Sequence, residues 1–338
     1  MKEVKSYAVE NNEGILLNAN ENPSNLNNAI IQEISEAICD VNFNRYPDDT
    51  MEELKQAYAD IVSISPQQLI VGNGSDELLG LLINLTLSKE KKLYTMSQDF
   101  SMYEYYASLQ DAQVIKFPIT VDEPFDVDEF IRYGKKHEVD LILFSNPNNP
   151  TGRRIKNGSI IKILEAFKET KVIVDEAYAE FSKSNMLAYI DLYPNLLITR
   201  TLSKAYGLAG IRCGFLIGNK QLIASIAPYK VPYNVNTLTQ ICATIVLKHK
   251  EENQAGIERI IAMRDAMYMK YLMNKPKNVI LYPSNANYFY GVCKDKTKLL
   301  QIMEEHKIKI RYFEGDSFRI SVASKKDNEK VIELLCSL

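Results

Sequence analysis

The chain has 338 residues, of which 46% are hydrophobic and 25% charged, with a formal net charge of −3. That length fits two domains, or one large domain with a smaller appendage, and the composition is ordinary for a chain that buries a sizeable core. The small negative balance leaves no electrostatic footprint for nucleic acid or for an anionic membrane surface.

Cys39, Cys213, Cys242, Cys293 and Cys336 are scattered and form no C-x-x-C pair, which predicts reduced thiols. His137, His249 and His306 lie far apart, so no metal site is expected. The N-terminal stretch MKEVKSYAVENNEG is polar, and the longest apolar run, LLGLLINLTL (78–87), is too short to span a bilayer. These features predict a soluble, cytoplasmic protein.

Residues 1–28 carry few periodic apolar positions and read as an extended arm or loop. Helical spacing runs over 29–41 and 51–62, broken by NRYPDDT (44–50). From residue 69 short apolar runs alternate with amphipathic stretches. The runs are LIVG (69–72), KLYTM (92–96), QVIKFPI (113–119), DLILFSN (140–146), KVIVDEA (171–177), LLITRT (196–201) and CGFLIG (213–218). Helical patterns fall at 76–87, 101–110, 126–137 and 157–169. This alternation predicts an α/β fold over 29–240, a large domain with a mostly parallel sheet covered by helices on both faces. Beyond it come a long helical stretch (239–274), NVILYPSNANYFYGVC (278–293), a helix at 296–306, IKIRYF (308–313), SFRISVA (317–323) and a final helix at 326–337. They predict a smaller α+β domain over 241–338, to which part of the N-terminal segment can contribute.

Ligands of parallel sheets bind at the carboxyl ends of the strands, so the residues that follow each run carry the functional reading. LIVG leads into Asn73-Gly74-Ser75-Asp76-Glu77. This is either a glycine turn with a capped helix or a helix start whose free N–H groups take a phosphate. DLILFS leads into NPNNPTG (146–152), a rigid turn whose Asn149 amide either satisfies the turn or donates to a ligand oxygen. KVIV leads into Asp175-Glu176-Ala177-Tyr178. Asp175 either caps the next turn or pairs with a buried cation, because an acid after four apolar residues is costly to desolvate alone. LLITRT leads into Ser203 and Lys204 among small and apolar neighbours, with Arg212 beyond. Desolvation lowers a lysine's pKa and makes it a candidate nucleophile. Falling together at the ends of successive strands, these groups match the needs of pyridoxal phosphate. It requires an amine (Lys204), an acid for its ring nitrogen (Asp175), donors for its phenolic oxygen (Asn149, Tyr178) and donors for its phosphate (Gly74, Ser75, Ser203, Arg212).

LNANENP (17–23), NRYPD (44–48), NPNNPTG (146–152), DEAY (175–178), TLSKAYGLAGIRCG (201–214) and FRISV (318–322) occur in one order over nearly the whole chain. In these motifs the sequence resembles the fold-type I, pyridoxal-phosphate-dependent aminotransferases, and more narrowly the histidinol-phosphate aminotransferases. The resemblance implies an aspartate-aminotransferase-like fold with pyridoxal 5'-phosphate as cofactor. It implies that Lys204 is the Schiff-base lysine and proton shuttle, that Asp175 partners the pyridine nitrogen, and that Asn149 and Tyr178 donate to the phenolic oxygen. Gly74, Ser75, Asp76, Thr201, Ser203 and Arg212 then hold the phosphate, joined by Tyr46 from the neighbouring subunit of a homodimer. Arg319 is implied to grip the substrate's carboxylate or phosphate, Arg311 to meet the phosphate of histidinol phosphate, and Tyr7 and Asn20 to cover the substrate. In SQDFSMYEYY (97–106), Phe100 stands where the family stacks a tyrosine on the cofactor, with Tyr103 as a second aromatic. The implied reaction is transamination of histidinol phosphate and 2-oxoglutarate to imidazole-acetol phosphate and glutamate, in histidine biosynthesis. Threonine-phosphate decarboxylation and aromatic-amino-acid transamination are the alternatives on the same fold, and a non-catalytic ligand-binding descendant is the alternative outside it.

Overall fold

Apolar runs bounded by Gly, Asn and Asp become strands and capped helices in the computed structural model, which describes residues 13–338. Strand β1 (Ile15–Leu17) precedes α1 (Asn28–Cys39), which starts where the Asn27 side chain accepts the Ile30 N–H at 2.9 Å. Next come α2 (Glu52–Val62), β2 (Leu69–Gly72), α3 (Ser75–Thr86), β3 (Lys92–Met96), α4 (Met102–Leu109), β4 (Gln113–Phe117) and α5 (Val127–His137). They are followed by β5 (Leu141–Ser145), α6 (Asn157–Ala166), β6 (Lys171–Asp175), β7 (Leu196–Thr201), β8 (Gly214–Ile217) and α7 (Lys220–Ile226). The remainder is α8 (Thr237–Lys248), α9 (Lys250–Asn274), β9 (Val279–Leu281), β10 (Tyr288–Cys293), α10 (Lys296–Glu305), β11 (Ile308–Tyr312), β12 (Ser317–Ser321) and α11 (Lys325–Cys336).

Among the described residues two sheets form. The larger has the order β2-β8-β7-β6-β5-β3-β4. It is parallel except at β8, which runs antiparallel to both of its neighbours. Alternate residues of each strand face opposite sides. Leu141, Leu143, Ile173, Leu197 and Leu216 enter a core beneath α3 and α4 with Leu79, Leu82 and Tyr103. Ile142, Phe144, Val172, Val174 and Ile198 enter the opposite core with Tyr58, Phe130 and Ile160. Both faces are therefore covered, which is why these strands read as continuous apolar runs.

The smaller sheet has the order β1-β11-β12-β10-β9, antiparallel except for the β1–β11 pair. The extended arm contributes β1 to it, with Ile15 opposite Ile308 and Leu17 buried. The expected single helical stretch over 239–274 is two helices. The backbone leaves the helix at His249 (φ −83°, ψ 61°), and the Asn253 side chain donates to the Val246 carbonyl there at 2.7 Å. α8 packs on α1 and α2, whereas α9 packs on α11. Residues 278–293 likewise split into two strands around the segment 282–287. Helix α7 is an addition to the sequence reading, started by Asn219, which accepts the Leu222 N–H at 2.8 Å.

Candidate active site

Parallel register aligns the ends of β5, β6 and β7. Ser145 lies opposite Asp175, and Asp175 opposite Thr199. A cavity of about 390 Å³ opens at this edge. Asn20, Ser75, Asp76, Phe100, Asn149, Asp175, Tyr178, Thr201, Ser203, Lys204, Arg212 and Arg319 all line it.

Asp175 ends β6 and is 4% exposed. Its Oδ2 accepts from the Tyr103 hydroxyl at 2.7 Å, and its Oδ1 from Thr199 Oγ1 at 3.0 Å and the Ala177 N–H at 3.2 Å. Burial pushes its pKa up to about 6, opposed by the Tyr103 and Thr199 hydrogen bonds. Among the described residues its partners are hydroxyls and an N–H, not the buried cation that the sequence offered as one reading. It is an acid poised to receive a cation from a ligand.

In the sequence Tyr103 reads only as a second candidate, beside Phe100, for stacking on the cofactor. It is fully buried on α4, with its hydroxyl committed to Asp175. Phe100 holds the cavity wall instead, edge-on to Tyr103 with ring centroids 5.6 Å apart. The helical phase of α4, with Tyr103 and Ala107 four apart and both buried, carries the signal that separates the two rings.

Lys204 follows β7 in a loop of small residues. Its Nζ donates to the Ala19 carbonyl at 2.7 Å. Burial, reinforced by the Arg319 charge, pushes its pKa down to about 8. More of such an amine is unprotonated near neutral pH than of an ordinary lysine, and the free amine is able to attack a carbonyl.

At the other end of the cavity α3 begins. Ser75 and Asp76, expected as caps, occupy its first turn, and the N-cap is Gly74 at φ 81°, so no side chain caps the helix. That backbone region favours glycine, and a Cβ on Gly74 would lie 2.6 Å from Arg212 Nη2. Arg212 donates to Asp76 at 2.9 Å and to Ser203 Oγ at 3.4 Å, and Thr201 Oγ1 donates to Ser203 Oγ at 2.9 Å. An uncapped helix start, two hydroxyls and a guanidinium together make an anion site.

The substrate side is built by the arm and β12. Asn20, buried at φ 55°, donates to the Tyr178 hydroxyl at 3.0 Å and is held by Ser321 and Asn287. Arg319 donates to Asn149 Oδ1 at 2.6 Å and to the Asn18 carbonyl at 2.5 Å, and lies 5.3 Å from the Tyr288 ring centroid. Its Nε is buried without a partner among the described residues. Because Arg319 takes the carbonyl end of the Asn149 amide, the NH₂ end is the one left for a ligand oxygen.

Two of the expected side chains, Arg311 and Tyr46, do not line this cavity. Arg311 is not in the cavity wall, but it sits directly across from Arg319 in the β11–β12 register, and so on the same face of the sheet. Tyr46 is 81% exposed and stacks on Tyr233 at 4.7 Å, away from this chain's own cavity. Tyr7 lies outside the described residues. A second cavity of about 370 Å³ lies beyond the 146–152 turn. There Arg153 is tied to the Thr120, Val121 and Glu123 carbonyls, and no strand-end acid or lysine lines it. No His/Cys/Asp/Glu cluster among the described residues could hold a metal ion.

The donor set of the first cavity fits a planar, phosphorylated pyridine aldehyde: anion site, ring-nitrogen acid, ring wall and an amine of lowered pKa in one pocket. The family profile of aminotransferase class I and II matches residues 12–336. The chain belongs to that family. The enzyme is an aminotransferase that uses pyridoxal 5'-phosphate. It is 35% identical to the histidinol-phosphate aminotransferase of Clostridium novyi, over 99% of this chain and 95% of that protein. Its fold is that of the histidinol-phosphate aminotransferase of Clostridium acetobutylicum, with a TM-score of 0.85 at 24% identity over 96% and 98% of the two chains. The Sinorhizobium meliloti histidinol-phosphate aminotransferase, solved in complex with pyridoxal 5'-phosphate, has the same fold, with a TM-score of 0.84 at 24% identity over 96% and 89%.

Proposed function

We propose that the enzyme interconverts histidinol phosphate plus 2-oxoglutarate with imidazole-acetol phosphate plus glutamate, as a step of histidine biosynthesis in the cytoplasm. The observation that carries this is 35% identity, across the full chain, to a protein that bears that activity as its name. The fold alone does not choose among reactions. The pairing of Arg311 with Arg319 on neighbouring strands supports the choice, because two arginines on one face of a sheet suit a phosphorylated substrate that alternates with a dicarboxylate.

When bound, pyridoxal 5'-phosphate supplies an aldehyde that takes up amino groups and a ring that draws electrons from the carbon losing its proton. The chain's residues do the rest. The α3 start with Ser75, Thr201, Ser203 and Arg212 binds the phosphate. Asp175, kept anionic by Tyr103 and Thr199, holds a proton on the ring nitrogen. Phe100 packs on the ring face, and Asn149 with Tyr178 donates to the phenolic oxygen. Lys204 would lie at the aldehyde end of the cofactor, where its amine would move a proton between the substrate's α-carbon and the aldehyde carbon. Asn20 and the arm close the site, and Arg319 orients the substrate's carboxylate.

The reading extends to a homodimer. Phe43, Tyr46, Tyr229, Val231 and Tyr233 are exposed, and Lys230 ties their two segments together by bonding Asp49 and Asn234. Such an apolar patch suits a second copy, and it carries Tyr46 toward the partner's phosphate. Within the chain, the arm over 1–28 lends β1 to the smaller unit over 241–338, which follows the larger unit over 29–240.

A panel of amino donors tests the substrate. Histidinol phosphate with 2-oxoglutarate is expected to give glutamate at the highest kcat/KM. Carbon dioxide release from threonine phosphate, or faster turnover of phenylalanine, would replace this reading with one of the alternatives.

A further inference from the structure

Asp99 stands one position before Phe100, in the segment between β3 and α4. Its Oδ1 accepts the Phe100 N–H at 2.8 Å, its Oδ2 accepts the Ser145 N–H at 3.1 Å, and the Ser145 hydroxyl bonds Oδ1. Ser145 is the last residue of β5, and its Oγ in turn accepts the Asn149 N–H at 2.8 Å. A carboxylate that only capped its own turn would need just the first of these contacts. This one reaches across to a neighbouring strand. It joins the segment that carries the ring wall to the turn that carries the amide donor.

We propose, on the basis of the cofactor reading above, that Asp99 is a positioning residue that holds Phe100 and Asn149 in fixed relation, so that the cofactor's ring face and phenolic oxygen meet their partners together. Tyr103 from α4, Asp175 from β6 and Tyr288 from β10 face Asp99. Burial pushes its pKa up to about 8, against the Ser145 and Phe100 hydrogen bonds and with the Asp175 charge.

The test is titration of the cofactor-free enzyme with pyridoxal 5'-phosphate. Asp99→Asn, which keeps the shape but can accept at only one of the two positions, is expected to bind more weakly than wild type at pH 7, and Asp99→Ala about tenfold more weakly, the size of one hydrogen-bonded link. Asp99→Ala combined with Asn149→Ala is expected to lose less than the two single losses together, whereas combined with Arg212→Ala, at the far end of the cavity, the losses add. Wild-type affinity in Asp99→Ala, or full additivity with Asn149→Ala, overturns the proposal. Should Asp99→Ala fail to fold, Asp99→Asn provides the measurement: weaker cofactor binding than wild type, with a loss that is less than additive with Asn149→Ala, is expected, and wild-type affinity or full additivity overturns the proposal. If wild type itself takes up no cofactor, the cofactor reading has failed and not this inference.

Discussion

Lys204 shows how little a single residue declares. Lysines in loops are ordinarily solvated, and only its small, apolar neighbours hinted otherwise. Its meaning came from Asp175, Asn149 and the Gly74 turn, each ambiguous alone and each placed after a strand of the same predicted sheet. What stayed hidden was the wiring among side chains. Nothing in KVIVDEA says that Tyr103 and Thr199, from two other elements, hold Asp175, or that Asp99 anchors Ser145. Such contacts depend on helix phase and strand register, which motifs do not encode. Asp175 yields a prediction at this scale. Its folded-state pKa is raised to about 6, so it binds a proton more tightly folded than unfolded. The cost to stability grows as pH rises from the usual carboxylate range toward 6, and is present in full above it. In the cofactor-free enzyme Asp175→Asn is therefore expected to melt above wild type at pH 7, with the gap closing near pH 4. The same change is expected to lower kcat on the order of 10²-fold, because the ring nitrogen loses its anion. Melting curves across pH and steady-state rates check both; a gap that widens toward acid pH would reverse the sign and contradict the burial argument.

Strands with both faces buried were the elements read best, since a continuous apolar run bounded by Gly, Asn or Asp admits few alternatives. β2, β3 and β7 fall where periodicity put them. Short or broken elements were read worst. Three-residue β1 has too few positions to show alternation, and seven-residue α7 spans only two turns. The α8–α9 break turns on backbone dihedrals at His249 that no residue type there announces. The β11–β12 pairing matters most for function. Arg311 and Arg319 are eight positions apart in sequence, and only an antiparallel turn makes them cross-strand partners. Arg311→Ala is expected to lower kcat/KM for histidinol phosphate by about 100-fold, the size of a lost charged hydrogen bond or two, and for glutamate by only a few fold. Steady-state kinetics on both substrates measures this, and equal losses would make Arg311 a structural residue.

The whole molecule is a large α/β sheet whose strand ends meet a second sheet through β1, β10 and β12. The cavity lies where they meet. The α/β alternation made the first sheet legible, while the placement of the arm across the site was visible only through the LNANENP resemblance. Assembly is the scale that a single chain shows least, because Tyr46 is exposed and stacks on Tyr233 rather than reaching its own cavity. If Tyr46 serves the partner's phosphate, Tyr46→Phe weakens cofactor retention, and mixing it with Lys204→Ala regenerates some intact sites. Mixed dimers that show no more activity than the two parents would remove Tyr46 from the site. The account stands or falls on the cavity being the cofactor site with Lys204 as its amine. Borohydride reduction of the holoenzyme, followed by peptide mapping, tests that most directly. The expected result is a pyridoxyl group on Lys204, absent from Lys204→Ala; an adduct on a different lysine, or none at all, would contradict it.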